Sequence, residues 1–177
     1  MKNALFAFAL LFVVGSAAYA QDIMEDTDAT PGATVFSPKT VERVRSEKAS
    51  FIHLRVYPVI IQTLDKNTKQ AALKVEVYTP LEFNPKSTLV INVDGDLYSD
   101  SPEWTDASKG ISERTEVASI DLHDAPGALS LRKLASAQAI SVIAMYKKEQ
   151  IAVRLTGARL GAFKLMFDKY TALLPQT

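Results

Sequence analysis

The feature that most restricts the fold is an alternation of apolar and polar side chains that sets in at Phe51 and recurs along the chain. Ile52, Leu54 and Val56 alternate with His53, Arg55 and Tyr57, and Leu73, Val75 and Val77 alternate with Lys74, Glu76 and Tyr78. Successive side chains of an extended chain point to opposite faces, so each run predicts a strand with one buried and one wet face. A helix would scatter the same residues around its circumference. The polar stretch Asp65-Lys66-Asn67-Thr68-Lys69 lies between the two runs, which makes a hairpin the natural connection. Pro58 has no N–H to give to a ladder and predicts an edge or a bulge in the first run.

The pattern continues toward the C-terminus. Leu89 to Val93 runs into Asp94-Gly95, a pair suited to the positive φ angles of a tight hairpin turn, and Asp96 to Tyr98 returns. Val117, Ile120 and Leu122 mark a further strand, and Ile140, Val142 and Ala144 face Ile151, Val153 and Leu155 across Lys147-Lys148-Glu149. The expected fold is mainly β within the α+β class: an antiparallel sheet or small β-sandwich of about six strands. Three helices accompany it. A short N-terminal one starts at Ser37-Pro38, with Val41 and Val44 on its apolar side. An inserted one carries Leu131, Leu134 and Ala135, and a C-terminal one carries Phe163, Met166, Phe167, Tyr170, Leu173 and Leu174. Residues 159–165 fit a strand as well as a helix.

Ahead of the strands, Lys2 precedes the apolar run Ala4 to Gly15, and small residues follow as Ala18-Tyr19-Ala20. This is the layout of a cleavable secretory signal over residues 1–20. The run falls short of the roughly 20 apolar residues that span a bilayer, so the cleaved product is expected to have no membrane span and to work in the periplasm or be secreted. Residues 21–34, with Asp22, Glu25, Asp26 and Asp28 ahead of Pro31-Gly32, read as a flexible acidic leader, and residues 35–177 as a single antiparallel β-rich domain.

Composition removes whole classes of function. The chain has no cysteine, which excludes disulfides, thiolate metal sites, a cysteine nucleophile and a lipid anchor at the cleavage site, where Gln21 stands. It balances 20 basic against 20 acidic residues, and loss of Lys2 tips the mature product by one negative charge. Bulk electrostatic binding of nucleic acid or anionic lipid needs a basic excess or stripe, so neither is expected as a partner. The nearest cluster, Arg43, Arg45 and Lys48, is broken by Glu42 and Glu47 and reads as a solvated helix face.

Catalytic signatures are sparse. Asp121 and His123 share a strand face and form a weak candidate metal pair, with His53 as third ligand only if their strands are neighbours. Asp94, Asp96 and Asp100 recur like calcium-loop ligands, but Gly95 directly follows the first and Thr105 stands where the closing glutamate belongs. Ser130, Ser136 and Ser141 lack the flanking glycines of a nucleophile elbow, and the seven glycines form no phosphate loop. No catalytic residue, metal or cofactor is assigned.

The longest polar stretch, Asp100 to Arg114, holds Pro102, the only tryptophan, Trp104, and Gly110. Long loops with a large aromatic residue often bind, so Tyr98, Trp104 and Arg114 are the predicted ligand- or partner-contacting residues. The competing expectation is that Trp104 folds back over one end of the sheet. The succession of a Val93-Asp94-Gly95 hairpin, a Leu131-Arg132-Lys133-Leu134-Ala135 helix and a strand ending Val153-Arg154-Leu155-Thr156-Gly157 is similar to small exported bacterial proteins, a likeness of structure that transfers no site residue. The expectation is an exported non-enzymatic binding or accessory module of the bacterial envelope, recognising a protein or cell-wall component. The alternatives are a periplasmic hydrolase using carboxylates or a His-centred metal site, and a module that accepts a partner strand at an uncovered edge near Pro58.

Overall fold

A computed structural model describes residues 22–30, 32–47, 49, 51–63, 68–79, 88–108, 114–146 and 149–173. The proposed signal, residues 1–20, lies outside them, as do residues 65–67 of the predicted turn, Gly110 and Leu174. The fold is mainly β, with two antiparallel sheets and few helices.

The first sheet contains β1 (Ile23–Thr30), β2 (Ala33–Pro38), β3 (Val44–Arg45), β4 (His53–Thr63), β5 (Lys69–Thr79), β8 (Trp104–Asp106) and β9 (Arg114–Leu122). Its order is β1-β2-β4-β5-β9-β8, with β3 also paired to β4. The second contains β6 (Leu89–Val93), β7 (Asp96–Asp100), β10 (Ala139–Tyr146) and β11 (Glu149–Thr156) in the order β11-β10-β6-β7. Two helices follow the pattern predicted for them, α1 (Leu131–Ser136) and α2 (Gly161–Ala172). A 3-10 turn, Gly157–Leu160, leads into α2, so residues 159–165 are helical.

The alternation works as expected in the long central hairpin. Val56 lies opposite Val75 and Leu54 opposite Val77, and β9 continues the register with Ala118 opposite Val75 and Ile120 opposite Leu73. These side chains are buried, and one core cluster joins them to Leu89, Ile91, Val93, Ile140, Val142, Ala144, Ile151, Val153 and Leu155 of the second sheet. Phe163 of α2 enters the same cluster, while Met166 packs on Phe36 and Ile60 with Ile23, Tyr170 and Leu173 around them. Asp94 and Gly95 take φ of 51° and 105°, the tight hairpin turn read from the sequence. Asn92 Oδ1 accepts from Gly95 N at 2.8 Å, and the Asp94 carboxylate accepts from Gln138 N and Ala139 N, tying the turn to the start of β10. Ser130 caps α1 by accepting from Lys133 N at 3.2 Å.

Two expectations are corrected. The segment expected as an N-terminal helix from Ser37-Pro38 is extended: Ser37 and Pro38 end β2 and Val44 opens β3. Val41 and Val44 suggest helical spacing in isolation, but the run Ala33, Thr34, Val35 and Phe36 contains β-branched residues and finds a ladder on β4, which outweighs a helix too short to stand alone. The acidic segment expected as a mobile leader is also paired. Ile23 to Asp26 face Pro38 to Val35 in β1·β2, and Ile23 packs against the Phe36, Ile60 and Met166 cluster. With β8 these segments raise the strands to eleven among the described residues.

Candidate functional site

The chain leaves the first sheet after Pro38 and rejoins it at Val44, so the partners of β4 on that side are interrupted. Leu54 pairs with Val44 and Ile60 with Phe36, leaving residues 55–59 without a ladder partner on that side. Pro58 falls in this gap, where a missing N–H costs no ladder bond on that flank. It is therefore beside an interruption within an interior strand, rather than on the edge strand or bulge its ring suggested.

The interruption opens a cleft of about 370 Å³. Thr40, Val41 and Glu42 of the crossing segment line it, together with Val44 and Val56 of the first sheet, Leu155 of β11, Ala158 and Arg159 of the 3-10 turn, and Ala162 of α2. Local sequence explains the shape. Gly157 takes φ of 58°, a left-handed value that turns the chain out of β11 into the helical turn. Ala158 and Ala162 are too small to fill the space below them. Nearby, Glu47 N donates to Ala152 O at 2.9 Å, joining the segment after β3 to β11.

One ion pair stands at the cleft. Arg159 Nε donates to Glu42 Oε2 and Nη2 to Glu42 Oε1, each at 3.0 Å, a two-point grip between residues distant in sequence. The Arg159 hydrogen bonds, with its charge, hold the Glu42 carboxyl below the usual range, and the same contacts raise Arg159. Glu42 is thus a carboxylate near neutral pH and a poor proton donor. The remaining lining is aliphatic apart from Thr40. Such a set can enclose an apolar group and hold an anion; it supplies no base beside a nucleophile.

A second, more open concavity of about 780 Å³ lies over the β6–β7 turn and the ends of β10 and β11, lined by Asn92, Asp94, Gly95, Gln138, Ala139, Ser141, Arg154 and Thr156. It is larger but broad, and its carboxylate, Asp94, is already engaged by two backbone N–H groups. The smaller cleft, walled by both sheets and α2, is the stronger candidate.

The residues singled out from the sequence are dispersed. Tyr98 is half-buried against the core, with Lys133 Nζ 5.1 Å from its ring centroid and bonded to Asp96 Oδ2 at 2.6 Å. Trp104 is buried, 6% exposed, in β8 opposite Ala118. Arg114 begins β9 four residues from Ala118, about 13 Å along the strand, where its charge acts on Asp106 and Glu116. The structure therefore takes Trp104 into the core and does not assemble the three into one surface. His53 and His123 lie toward opposite ends of the first sheet. His53 faces Tyr78, whereas the Leu122 beside His123 faces Ala71, itself opposite Ile60, about 23 Å along β4. Among the described residues no group of three or more His, Asp or Glu is placed to hold a metal ion. Asp96 is paired with Lys133 and Asp100 accepts from Ser101 N, so the three aspartates of the turn region serve local bonds.

Sequence reasoning missed the cleft because its lining comes from three stretches far apart in the chain, residues 40–44, Val56 and residues 155–162. It also missed a polar cluster on the wet face of β4 and β5, although period two had put its members there. Tyr57 donates to Glu76 Oε1 at 2.6 Å, Tyr78 donates to Glu76 Oε2, and Arg55 Nη1 donates to Tyr78 at 3.2 Å. Arg43 stacks 3.6 Å from the Tyr78 ring centroid. Burial foremost, then the Glu76 carboxylate, pushes both phenols upward, which opposes a tyrosinate nucleophile and suits a rigid brace. The helical reading hid this contact, since it put Arg43 on a solvated helix face instead of beside β5.

Among the described residues no helix is long and apolar enough to cross a membrane. The chain matches no protein-family model and no curated protein.

Proposed function

We propose that this chain is an exported, non-enzymatic binding module of the bacterial envelope, and that it holds a small, largely apolar ligand in the cleft between β3, β4, β11 and α2. The observation that carries the reading is the cleft itself: about 370 Å³ lined by Val41, Val44, Val56, Leu155, Ala158 and Ala162, with one charged pair beside them. Ligand sites have this composition, mostly aliphatic walls with a few polar groups that set orientation. Export is supported by the Lys2, apolar run and Ala18-Tyr19-Ala20 sequence. The absence of a base paired with a nucleophile in the lining favours binding over hydrolysis.

The test is to fill the cleft. Ala162→Leu and Ala158→Leu each place a branched side chain in the space, and both are expected to abolish uptake of a fluorescent apolar probe while circular dichroism stays unchanged. Probe binding that persists in both folded variants rejects the cleft as the site. A second reading has its own support in the unpartnered stretch 55–59, which offers backbone groups to a peptide strand. Hydrogen exchange separates the two, because a bound strand protects those amides within 55–59 that face the gap and a small apolar ligand leaves them unchanged.

A further inference from the structure

The ion pair beside the cleft points to the chemistry of the ligand. Arg159 presents a planar fork to the Glu42 carboxylate, with two N–H···O bonds of 3.0 Å, at the rim of a cavity whose deeper walls are Val44, Val56 and Leu155. Guanidinium groups bind carboxylates in this two-point manner, and an exposed pair exchanges partners at little cost because water already screens it. The internal carboxylate therefore occupies the place where a ligand carboxylate fits, beside a space that favours hydrocarbon.

We infer that the ligand is a straight-chain monocarboxylate of the fatty-acid class, whose carboxylate displaces Glu42 from Arg159 while its alkyl chain enters the cleft. This rests on the binding reading above and adds head-group recognition to it. A chain of roughly eight carbons is in proportion to a cavity of about 370 Å³. No bond is made or broken; the exchange replaces one carboxylate by another on the same guanidinium. Glu42 acts as a competitor that raises the threshold for binding, so its removal strengthens ligand binding instead of weakening it.

The experiment compares octanoate with octanol on the purified protein by isothermal calorimetry, in the wild type and in the Arg159→Gln and Glu42→Gln variants. Octanoate is expected to bind about tenfold more tightly than octanol, and Arg159→Gln to erase that difference. Glu42→Gln is expected to tighten octanoate relative to octanol by about threefold to fivefold, the worth of a surface ion pair. Equal affinity for acid and alcohol in all three proteins overturns the carboxylate assignment and leaves the apolar cleft standing. Failure of both compounds to bind any of the proteins overturns the cleft reading itself, and with it this inference. Weaker octanoate binding in Glu42→Gln also overturns the inference, because it would make Glu42 a support for the ligand instead of its competitor.

Discussion

The two margins where the sheets meet solve the same problem in opposite ways. At one, the chain steps from β7 of the second sheet to β8 of the first through residues 101–103, and Trp104 swings its indole into the shared core, leaving 6% of the residue exposed. At the other, the crossing from β2 to β3 brings Thr40, Val41 and Glu42 against Ala158 and Ala162, and a cleft of about 370 Å³ remains. In both places a short crossing brings the chain against a facing element, although the first passes from sheet to sheet and the second stays within the first sheet, beside the interior strand β4. Side-chain volume decides the outcome. A large aromatic residue here becomes core, whereas alanines leave a cleft, so a lone tryptophan in a polar stretch does not by itself mark an exposed surface.

Breaking the filled margin should have the largest effect. Trp104→Ala removes a buried indole from a core that contains Leu73, Val75, Ala118 and Ile120, and is expected to cost about 3–5 kcal/mol, read as a lowered urea midpoint by circular dichroism. A loss under about 1 kcal/mol would show that the indole lies on the surface and return Trp104 to the set of candidate contacts. Filling the open margin should act in the other direction and more weakly. Ala162→Leu adds apolar surface to an unfilled space and is expected to stabilise the protein by about 0.5–1 kcal/mol, measured in the same denaturation series. Clear destabilisation would mean that the space is too tight for a branched side chain, and the contrast between the two margins would fail.

Legibility in the sequence followed the range of the interactions involved. Where neighbouring residues carry the signal, the reading was sound: period two gave β4, β5, β6, β10 and β11, Asp94-Gly95 gave its hairpin, and the spacing of Leu131, Leu134 and Ala135 gave α1. The region from Ile23 to Arg45 was misread because its strands owe their state to partners far along the chain. Val44 and Phe36 are extended since Leu54 and Ile60 lie opposite them, a fact that no local window contains. The same limit hid the cleft. Glu42 and Arg159 are 117 residues apart, and nothing in either neighbourhood announces the other. A period-two reading of Glu42, Arg43, Val44 and Arg45 was the one available hint, because it sorts Val44 inward and separates Glu42 from the arginines. Only four residues were in view, too few to prefer it over a helix.

The smallest expected effect is the most diagnostic of the open margin. Glu42 has a folded-state pKa held below its ordinary value of about 4.3 by the hydrogen bonds and charge of Arg159. A carboxylate depressed on folding contributes stability that is present above its unfolded pKa and is lost as the pH falls through its folded one. Glu42→Gln should therefore melt slightly below the wild type at neutral pH, with the gap closing as acid protonates Glu42 in the wild type and removes the same charge. Both groups are exposed, so high salt should narrow the gap at neutral pH as well. Paired melting curves across this range decide the matter. A gap that persists at low pH would mean that Glu42 stabilises the fold through packing, and the pair would then be a fixed strut across the cleft instead of a bond that a ligand can replace.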